Sequence, residues 1–374
     1  MDPWGVDLGA CRERQRRLLE AVASERLDLL IVTQGEHVQW LAGPRWGPLF
    51  QPSAALDADG RLTLVAPERW SGEAAADQIA TYSAKWHSTL RNDQRRESIE
   101  SLVRALAAAP PAVAGRRPLR IGVEFSTFGR HGSWDPAIEW IDIEPTLYRL
   151  RRRKDADELA RIRRAIGATG RMYARARELL RPGVSELEMF CELQTAAVME
   201  LGEMLTGTGN DYQCASRGGP PRAQRRAEAG ELYILDLGPA FRGYFADNCR
   251  TLAVTEPTDL QREAWSWIAR ALDHVERTAR PGKRCRELFD EVQQLLDQAP
   301  VGKFNHHLGH GIGLFPHEAP HLNPNWDDTL EVGDVFTAEP GLYAPELRAG
   351  LRIENDYLVT ETGVERLSDF SIEL

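Results

Sequence analysis

Long apolar runs are missing from this chain. None approaches the roughly 18 uninterrupted residues that a membrane-spanning helix needs, and the opening "MDPWGVDLGACRERQRR" lacks the apolar centre of a signal peptide. The expectation is a cytoplasmic protein with no membrane partner. A basic excess is missing too: 46 Lys and Arg stand against 56 Asp and Glu, for a net charge of −10. Without a positive face, nucleic acid is not an expected partner. Cysteine is scarce. Cys11, Cys191, Cys214, Cys249 and Cys285 are odd in number, far apart and form no CxxC, which argues against a disulfide framework or a thiolate zinc site and for reduced, mostly buried thiols.

Common catalytic signatures are also absent. There is no GxSxG and no GxxxxGK[ST], and "GTGNDY" does not complete GxGxxG. The stretch "HEAPH", residues 317–321, matches HExxH, but Pro316 and Pro320 stand directly before its two histidines and forbid the helix on which that motif works. Serine hydrolases, P-loop enzymes and helical zinc proteases lose their support.

What is present reads as two domains, since 374 residues with 42% hydrophobic and 27% charged side chains can bury two cores. A helix in "RERQRRLLEAVASERL", a buried strand in "DLLIVT", two strands around the Asp-Gly turn of "LDADGRLTLVAPE", a helix near "RRESIESLVRALAAA", the breaker-rich "PPAVAGRRP" and a strand in "LRIGVE" predict an α/β domain over residues 1–148. The basic run in "LYRLRRRKDADELARIRRAIG" is followed at once by Asp155, Asp157 and Glu158, as at the solvated start of a helix. Residues 149–374 then read as α+β: two long helices broken at "RPGVSE", followed by a β-rich region with helices at "QREAWSWIARALDHVERTA" and "CRELFDEVQQLLDQA".

The second half holds the acids and imidazoles of interest. Asp236 and Asp247 flank the hairpin tip "PAFRG"; a tip centred between Phe241 and Arg242 would set them directly opposite each other, with Cβ atoms about 5 Å apart. Glu339 follows the apolar "DVFTA", and Glu354 lies in the strand-like "LRIENDYLVT", where a carboxylate needs a partner. Such acids repel unless they share a proton or hold a cation. His306, His307, His310 and His317 fall within residues 306–317 of a chain with nine histidines, and the glycines beside His310 in "GHGIG" permit close backbone approach. Four carboxylates and an imidazole suit two divalent cations, Mn²⁺ first, with Co²⁺, Zn²⁺ and Fe²⁺ as competitors.

The ordered motifs D-x-G, D-x-x-R-T, GHGIG, E-P-G and R-x-E resemble those of the pita-bread metallopeptidases, which include methionine aminopeptidase, aminopeptidase P, prolidase and the non-peptidase creatinase. The early stretch "RLDLLIVTQGEHVQWLAG" resembles the N-terminal domain of the creatinase, prolidase and aminopeptidase P branch, which methionine aminopeptidase lacks. The resemblance implies an α/β N-terminal domain and an α+β pita-bread domain of curved antiparallel sheet with outer helices, holding two metals in its hollow. It implies that Asp236 binds one metal, that Asp247 and Glu354 bridge both, and that His310 and Glu339 complete the other. A hydroxide bridging the metals would then attack the substrate, with Glu339 as proton shuttle. His306 and His317 would line the substrate side and stabilise the oxyanion, while Arg352 would orient the acids beside the substrate. His307 and His321 receive no role beyond hydrogen bonding or surface exposure. A homodimer is also implied.

The match has one gap. The family places a further histidine before the first metal aspartate, and counting back from Asp236 reaches Gly219, in a segment "SRGGPPRAQRRAEAGELYILD" without histidine. Arg217, Arg222, Arg225 and Arg226 offer a substrate carboxylate another contact, unless they are simply solvated. Three functions compete: an Xaa-Pro peptidase of aminopeptidase P or prolidase type; a creatinase-related non-peptidase acting on a small C–N or sulfonium compound, although creatinase itself does not keep the metal ligands; and a silent binding protein that has kept the fold.

Overall fold

The structure, a computed structural model, describes residues 2–47, 49–86, 89–90, 93–108, 119–127, 137–209 and 211–374. The backbone divides into two compact units, residues 1–151 and 152–374. The breaker-rich 110–118 segment lies outside the described residues.

In the first unit, Asp7 caps helix α1 (Leu8–Ala21) by accepting the Ala10 amide at 2.9 Å, leaving Cys11 and Leu18 on the buried face. Strand β1 (Leu29–Val32) is followed by α2 (Gly35–Ala42) and by the antiparallel pair β2 (Ser53–Asp57) and β3 (Leu62–Pro67), with Asp57 holding the turn amides of Asp59 and Arg61. Then come β4 (Gln78–Tyr82), the short pair β5 (Lys85–Trp86) and β6 (Thr89–Leu90), α3 (Gln94–Ala108), β7 (Leu119–Val123) and β8 (Ile138–Asp142). The sheet order is β4-β3-β2-β1-β7-β8, with β3/β4, β1/β7 and β7/β8 parallel and the rest antiparallel. This mixed sheet with helices against it is the expected α/β architecture. The two helices and four strands anticipated for this domain are present as α1, α3, β1, β2, β3 and β7.

Helix α4 (Glu144–Arg152) carries the chain into the second unit, where a reciprocal capping box between Asp155 and Glu158 starts α5 (Ala156–Leu179). The acids open the helix as anticipated, but the basic run before it is not a solvated face. Arg152 forms a two-point ion pair with Asp334, at 3.0 and 2.7 Å, and Lys154 reaches Glu318 at 2.6 Å; all four residues are buried, as is Arg151, whereas Arg149 and Arg153 are exposed. These cations neutralise acids that lie far away in sequence, so no local pattern could signal their burial.

Ser185 caps α6 (Glu186–Leu201), which packs on α5. There follow β9 (Asp211–Cys214), β10 (Leu232–Leu237), the tip strands β11 (Ala240–Phe241) and β12 (Tyr244–Phe245), and β13 (Asn248–Ala253). Helix α7 (Asp259–Thr278) buries Ala264, Ile268, Ala271, Leu272 and Val275, and α8 (Cys285–Leu296) buries Cys285, Leu288, Val292 and Leu296; both show the spacing of one apolar face. The chain ends in β14 (Gly309–Gly311), β15 (Glu318–Leu322), β16 (Val335–Ala338), β17 (Gly341–Leu342), β18 (Leu351–Arg352), β19 (Asn355–Val359) and β20 (Val364–Arg366). Two antiparallel sheets result, β13-β10-β9 and β15-β14-β16-β19-β20. The stripes of α7 and α8 share one core with Phe304, Phe336, Ile353 and Tyr357. All five cysteines are free, with only Cys191 exposed. No helix among the described residues is long and apolar enough to cross a membrane.

Removing one partner of the Arg152–Asp334 pair strands a buried charge, so Arg152→Ala is expected to destabilise the second unit by about 3–5 kcal/mol. Arg153→Ala, at an exposed side chain, should shift stability by no more than about 0.5 kcal/mol. Urea unfolding of the full chain checks both; similar midpoints for the two variants would show that the pair is not an anchor.

Candidate metal centre

The first wall of the site is the hairpin β10–β13. Its tip is Arg242–Gly243, with φ +50° and +93°, and the ladder pairs Phe241 with Tyr244 and Asp236 with Cys249. A two-residue hairpin turn needs positive φ at both central positions, which Arg242 and Gly243 adopt while Phe241 stays buried in a strand. The register expected from the sequence is therefore wrong by two residues. Asp247 is the diagonal rather than the direct neighbour of Asp236, still on the same face because side chains alternate with period two. Oxygens of Asp236, Asp247 and Glu354 lie within 4.8 Å of one another.

The second wall comes from the larger sheet. A Cβ on Gly309 would stand 1.9 Å from the Thr337 carbonyl oxygen, and one on Gly311 would stand 2.0 Å from that of Ala319, so only glycines let the backbone carry His310 between its neighbours. The Glu339 amide donates to the Leu308 carbonyl at 2.8 Å, placing Glu339 beside this strand. His310 Nε2 is 3.6 Å from Glu339 Oε1 and 3.7 Å from Asp247 Oδ2. The two walls are stitched together where the Glu354 amide donates to the Cys249 carbonyl at 2.9 Å and Thr251 exchanges hydrogen bonds with the Arg352 backbone at 3.0 Å.

Burial raises Asp236, Asp247 and Glu354 above the usual carboxylate range, and the facing acids raise Asp247 and Glu354 further, whereas Arg352 opposes the rise at Asp236. Burial also works against ionisation of Glu339, but a hydrogen bond from His307 (Nε2 to Oε1, 2.8 Å) and the nearby His310 and Arg352 hold it below the usual range. Arg352 donates to Asp211 at 2.6 Å and to Asp236 at 2.7 Å, with longer bonds to the Tyr343 hydroxyl and the Arg217 carbonyl.

These groups fit a cation. Glu354 Oε2 is buried with no hydrogen-bond partner among the described residues. The His310 Nδ1–H must donate to the Gly311 carbonyl at 3.1 Å, which leaves the Nε2 lone pair aimed at the acids; burial lowers this imidazole to about 4, so it is neutral. Oxygen-rich donors with one imidazole match hard or borderline divalent ions.

The sequence-predicted site residues Asp236, Asp247, His306, His310, His317, Glu339, Arg352 and Glu354 all line one cavity of about 680 Å³. His306 donates from Nδ1 to the His307 carbonyl, so its Nε2 accepts from the Tyr343 hydroxyl at 3.0 Å, and burial lowers it to about 4. His317 stacks 4.0 Å from His310 between ring centres. His307, given no role from sequence, is bound to Glu339; Asp211 and Tyr343 were also missed, since single residues outside a motif give no signal. His321 bonds Asp328 at 2.8 Å and stacks on Trp326, consistent with a hydrogen-bonding histidine. At Gly219, φ is +125°, a conformation in which the missing imidazole would be strained, and a Cβ there would stand 2.9 Å from the movable end of Gln213. Of the four loop arginines, Arg222 pairs with Glu186, Arg225 with Glu231, and Arg226 donates to the Gly183 carbonyl. Arg217 alone lines the cavity.

Comparison with known proteins agrees with this geometry. Residues 160–361 match metallopeptidase family M24, and residues 14–153 match the creatinase/prolidase N-terminal domain. An uncharacterized peptidase of Staphylococcus aureus (strain MW2) is 26% identical over 361 residues, covering 95% of this chain and 98% of its own. An Xaa-Pro dipeptidase of Lactobacillus delbrueckii subsp. lactis is 31% identical over 237 residues, covering 62% of this chain and 64% of its own. The solved structure of an Xaa-Pro dipeptidase from Bacillus anthracis superposes with a TM-score of 0.78 at 25% identity, over 97% of this chain and 99% of that one. With its acids and imidazole gathered as the pita-bread fold requires, the chain belongs to metallopeptidase family M24.

Proposed function

We propose that this metal-dependent peptidase hydrolyses Xaa-Pro bonds at a pair of divalent ions, Mn²⁺ first among the candidates, held by Asp236, Asp247, His310, Glu339 and Glu354. The observation that carries the reading is the meeting of Asp236, Asp247 and Glu354 with His310 and Glu339 at one cavity floor. Similarity to the two Xaa-Pro dipeptidases supports the substrate class. We also propose a cytoplasmic homodimer, on the family resemblance.

Bound ions would supply Lewis-acid activation of water and of the scissile carbonyl. Glu339, ionised and hydrogen-bonded to His307, is the group able to accept the water proton and pass it on to the leaving nitrogen. His317 faces the cavity where an oxyanion develops, whereas neutral His306, with its Nδ1–H on the His307 carbonyl and its Nε2 on the Tyr343 hydroxyl, borders the same space and holds Tyr343 in place. Arg352 borders the substrate space and fixes Asp236 through one Nη2 hydrogen bond, while a second from the same nitrogen goes to Asp211. A second reading, hydrolysis of a small non-peptide C–N compound, rests on Gly219 standing where the peptidases carry a histidine.

Metal-loaded protein should cleave Gly-Pro and Ala-Pro or a longer Xaa-Pro-Xaa peptide, and the preferred length separates dipeptidase from aminopeptidase. Glu339→Gln should lower kcat by about 10²–10⁴-fold, and Asp247→Ala should remove both turnover and stoichiometric metal. Two bound ions without turnover on any member of the panel would favour the small-molecule reading.

Carboxyls whose folded pKa exceeds the unfolded value weaken the metal-free fold as pH rises through that interval, because the folded state must then carry unwanted charge. Metal binding competes with the same protons. Mn²⁺ affinity should therefore increase as pH rises through about 6, where Asp236 titrates, with proton release from Asp236 and from the raised Asp247 or Glu354 and none from His310, which is already neutral. Calorimetric titration in two buffers of different ionisation enthalpy measures this; proton uptake on binding would contradict it.

A further inference from the structure

The cavity wall carries five carboxylates, Asp211, Asp236, Asp247, Glu339 and Glu354, and two fixed cations, Arg217 and Arg352. Arg352 is committed to the protein: its Nη2 joins Asp211 to Asp236, and its Nη1 reaches the Tyr343 hydroxyl and the Arg217 carbonyl. Arg217 is differently placed. One terminal nitrogen donates to Asn305 Oδ1 at 2.6 Å, the guanidinium lies 4.1 Å from the centre of the Tyr343 ring, and no carboxylate among the described residues pairs with it.

The cation–π contact with Tyr343 helps hold the guanidinium in place, and the neutral Asn305 uses only one of its five N–H groups. An oriented, uncompensated fork of this kind matches a carboxylate. The ring beneath it belongs to the residue whose hydroxyl donates to His306, so the fork borders the reacting part of the cavity. An anionic end of a substrate entering elsewhere would meet the five acids, and Arg217 is the position on the wall that attracts it.

Resting on the peptidase reading, we propose that Arg217 is a specificity-determining residue that binds the free C-terminal carboxylate of an Xaa-Pro dipeptide and thereby sets substrate length. The turn whose positive φ at Gly219 favours glycine supplies a charged contact two residues earlier.

The test compares wild type, Arg217→Met and Arg217→Lys, all metal-loaded, full length and matched for metal content. Each is assayed on Ala-Pro and on Ala-prolinamide, and its binding of L-proline and L-prolinamide is measured by calorimetry. Wild type should favour Ala-Pro over the amide by about 10–100-fold in kcat/KM, as expected for a charge-assisted contact. Arg217→Met should erase that preference mainly through KM, with kcat changing less than about threefold, and Arg217→Lys should restore part of it. The preference for proline over prolinamide in binding should fall in parallel. An unchanged carboxylate-to-amide ratio in Arg217→Met, or a wild type without any such preference in turnover or binding, overturns the proposal. Absence of peptide turnover in every form defeats the peptidase reading alone; the binding ratio then still decides on Arg217, supporting it if Arg217→Met abolishes the ratio and overturning it if the ratio persists.

Discussion

Mutual repulsion among carboxylates is the constraint around which the second unit is organised. Asp236, Asp247 and Glu354 approach closely, Glu339 joins them through His310, and Asp211 stands behind Asp236. Left alone, such a group would drive its strands apart or hold protons. The fold offsets it in two ways. Arg352 and His307 lie against particular acids, and protons stay on carboxyls that no cation reaches.

Holding the acids requires that two separate ladders keep register with each other, and Arg250 is central to that. Fully buried, it donates to the carbonyls of Cys249 and Glu354, to the Asn355 side chain, and to the carbonyls of Phe370 and Ser371. The arginine of D-x-x-R-T thus joins the strand after Asp247 to the segment bearing Glu354 and to the end of the chain. Tyr173 from α5 adds hydrogen bonds to the carbonyls of Leu235 and Asn248, so a helix fixes the same hairpin from its other side.

Much of this was legible from sequence. Period-2 and helical patterning placed the helices and most strands, because each element buries one face against its own neighbours. The five metal-ligand candidates stood out because acids in apolar strands need partners, and all five meet at one cavity. The register of the β10–β13 hairpin was not legible: it depends on which residues take positive φ, and Arg242 does so without being a glycine. Nor was the burial of Arg152 and Lys154, whose partners Asp334 and Glu318 lie more than 160 residues away. His307 was expected only to hydrogen-bond or face solvent, and its partner Glu339 could not be foreseen because the contact is made across a loop that has no periodicity.

Gly219 stands near the place where the family resemblance expects a further imidazole, and the chamber is lopsided. Its histidines, His306, His307, His310 and His317, all come from one short stretch of chain, while the facing turn offers Gly218, Arg217 and the carboxylate of Asp211. Burial lowers His306, His310 and His317, and only His307 is raised, through its bond to Glu339, so this segment presents mostly neutral rings. Arg217 reaches the histidine-bearing segment through Asn305 and the Tyr343 ring, so a molecule bound there meets imidazoles and a fixed positive charge at adjoining positions.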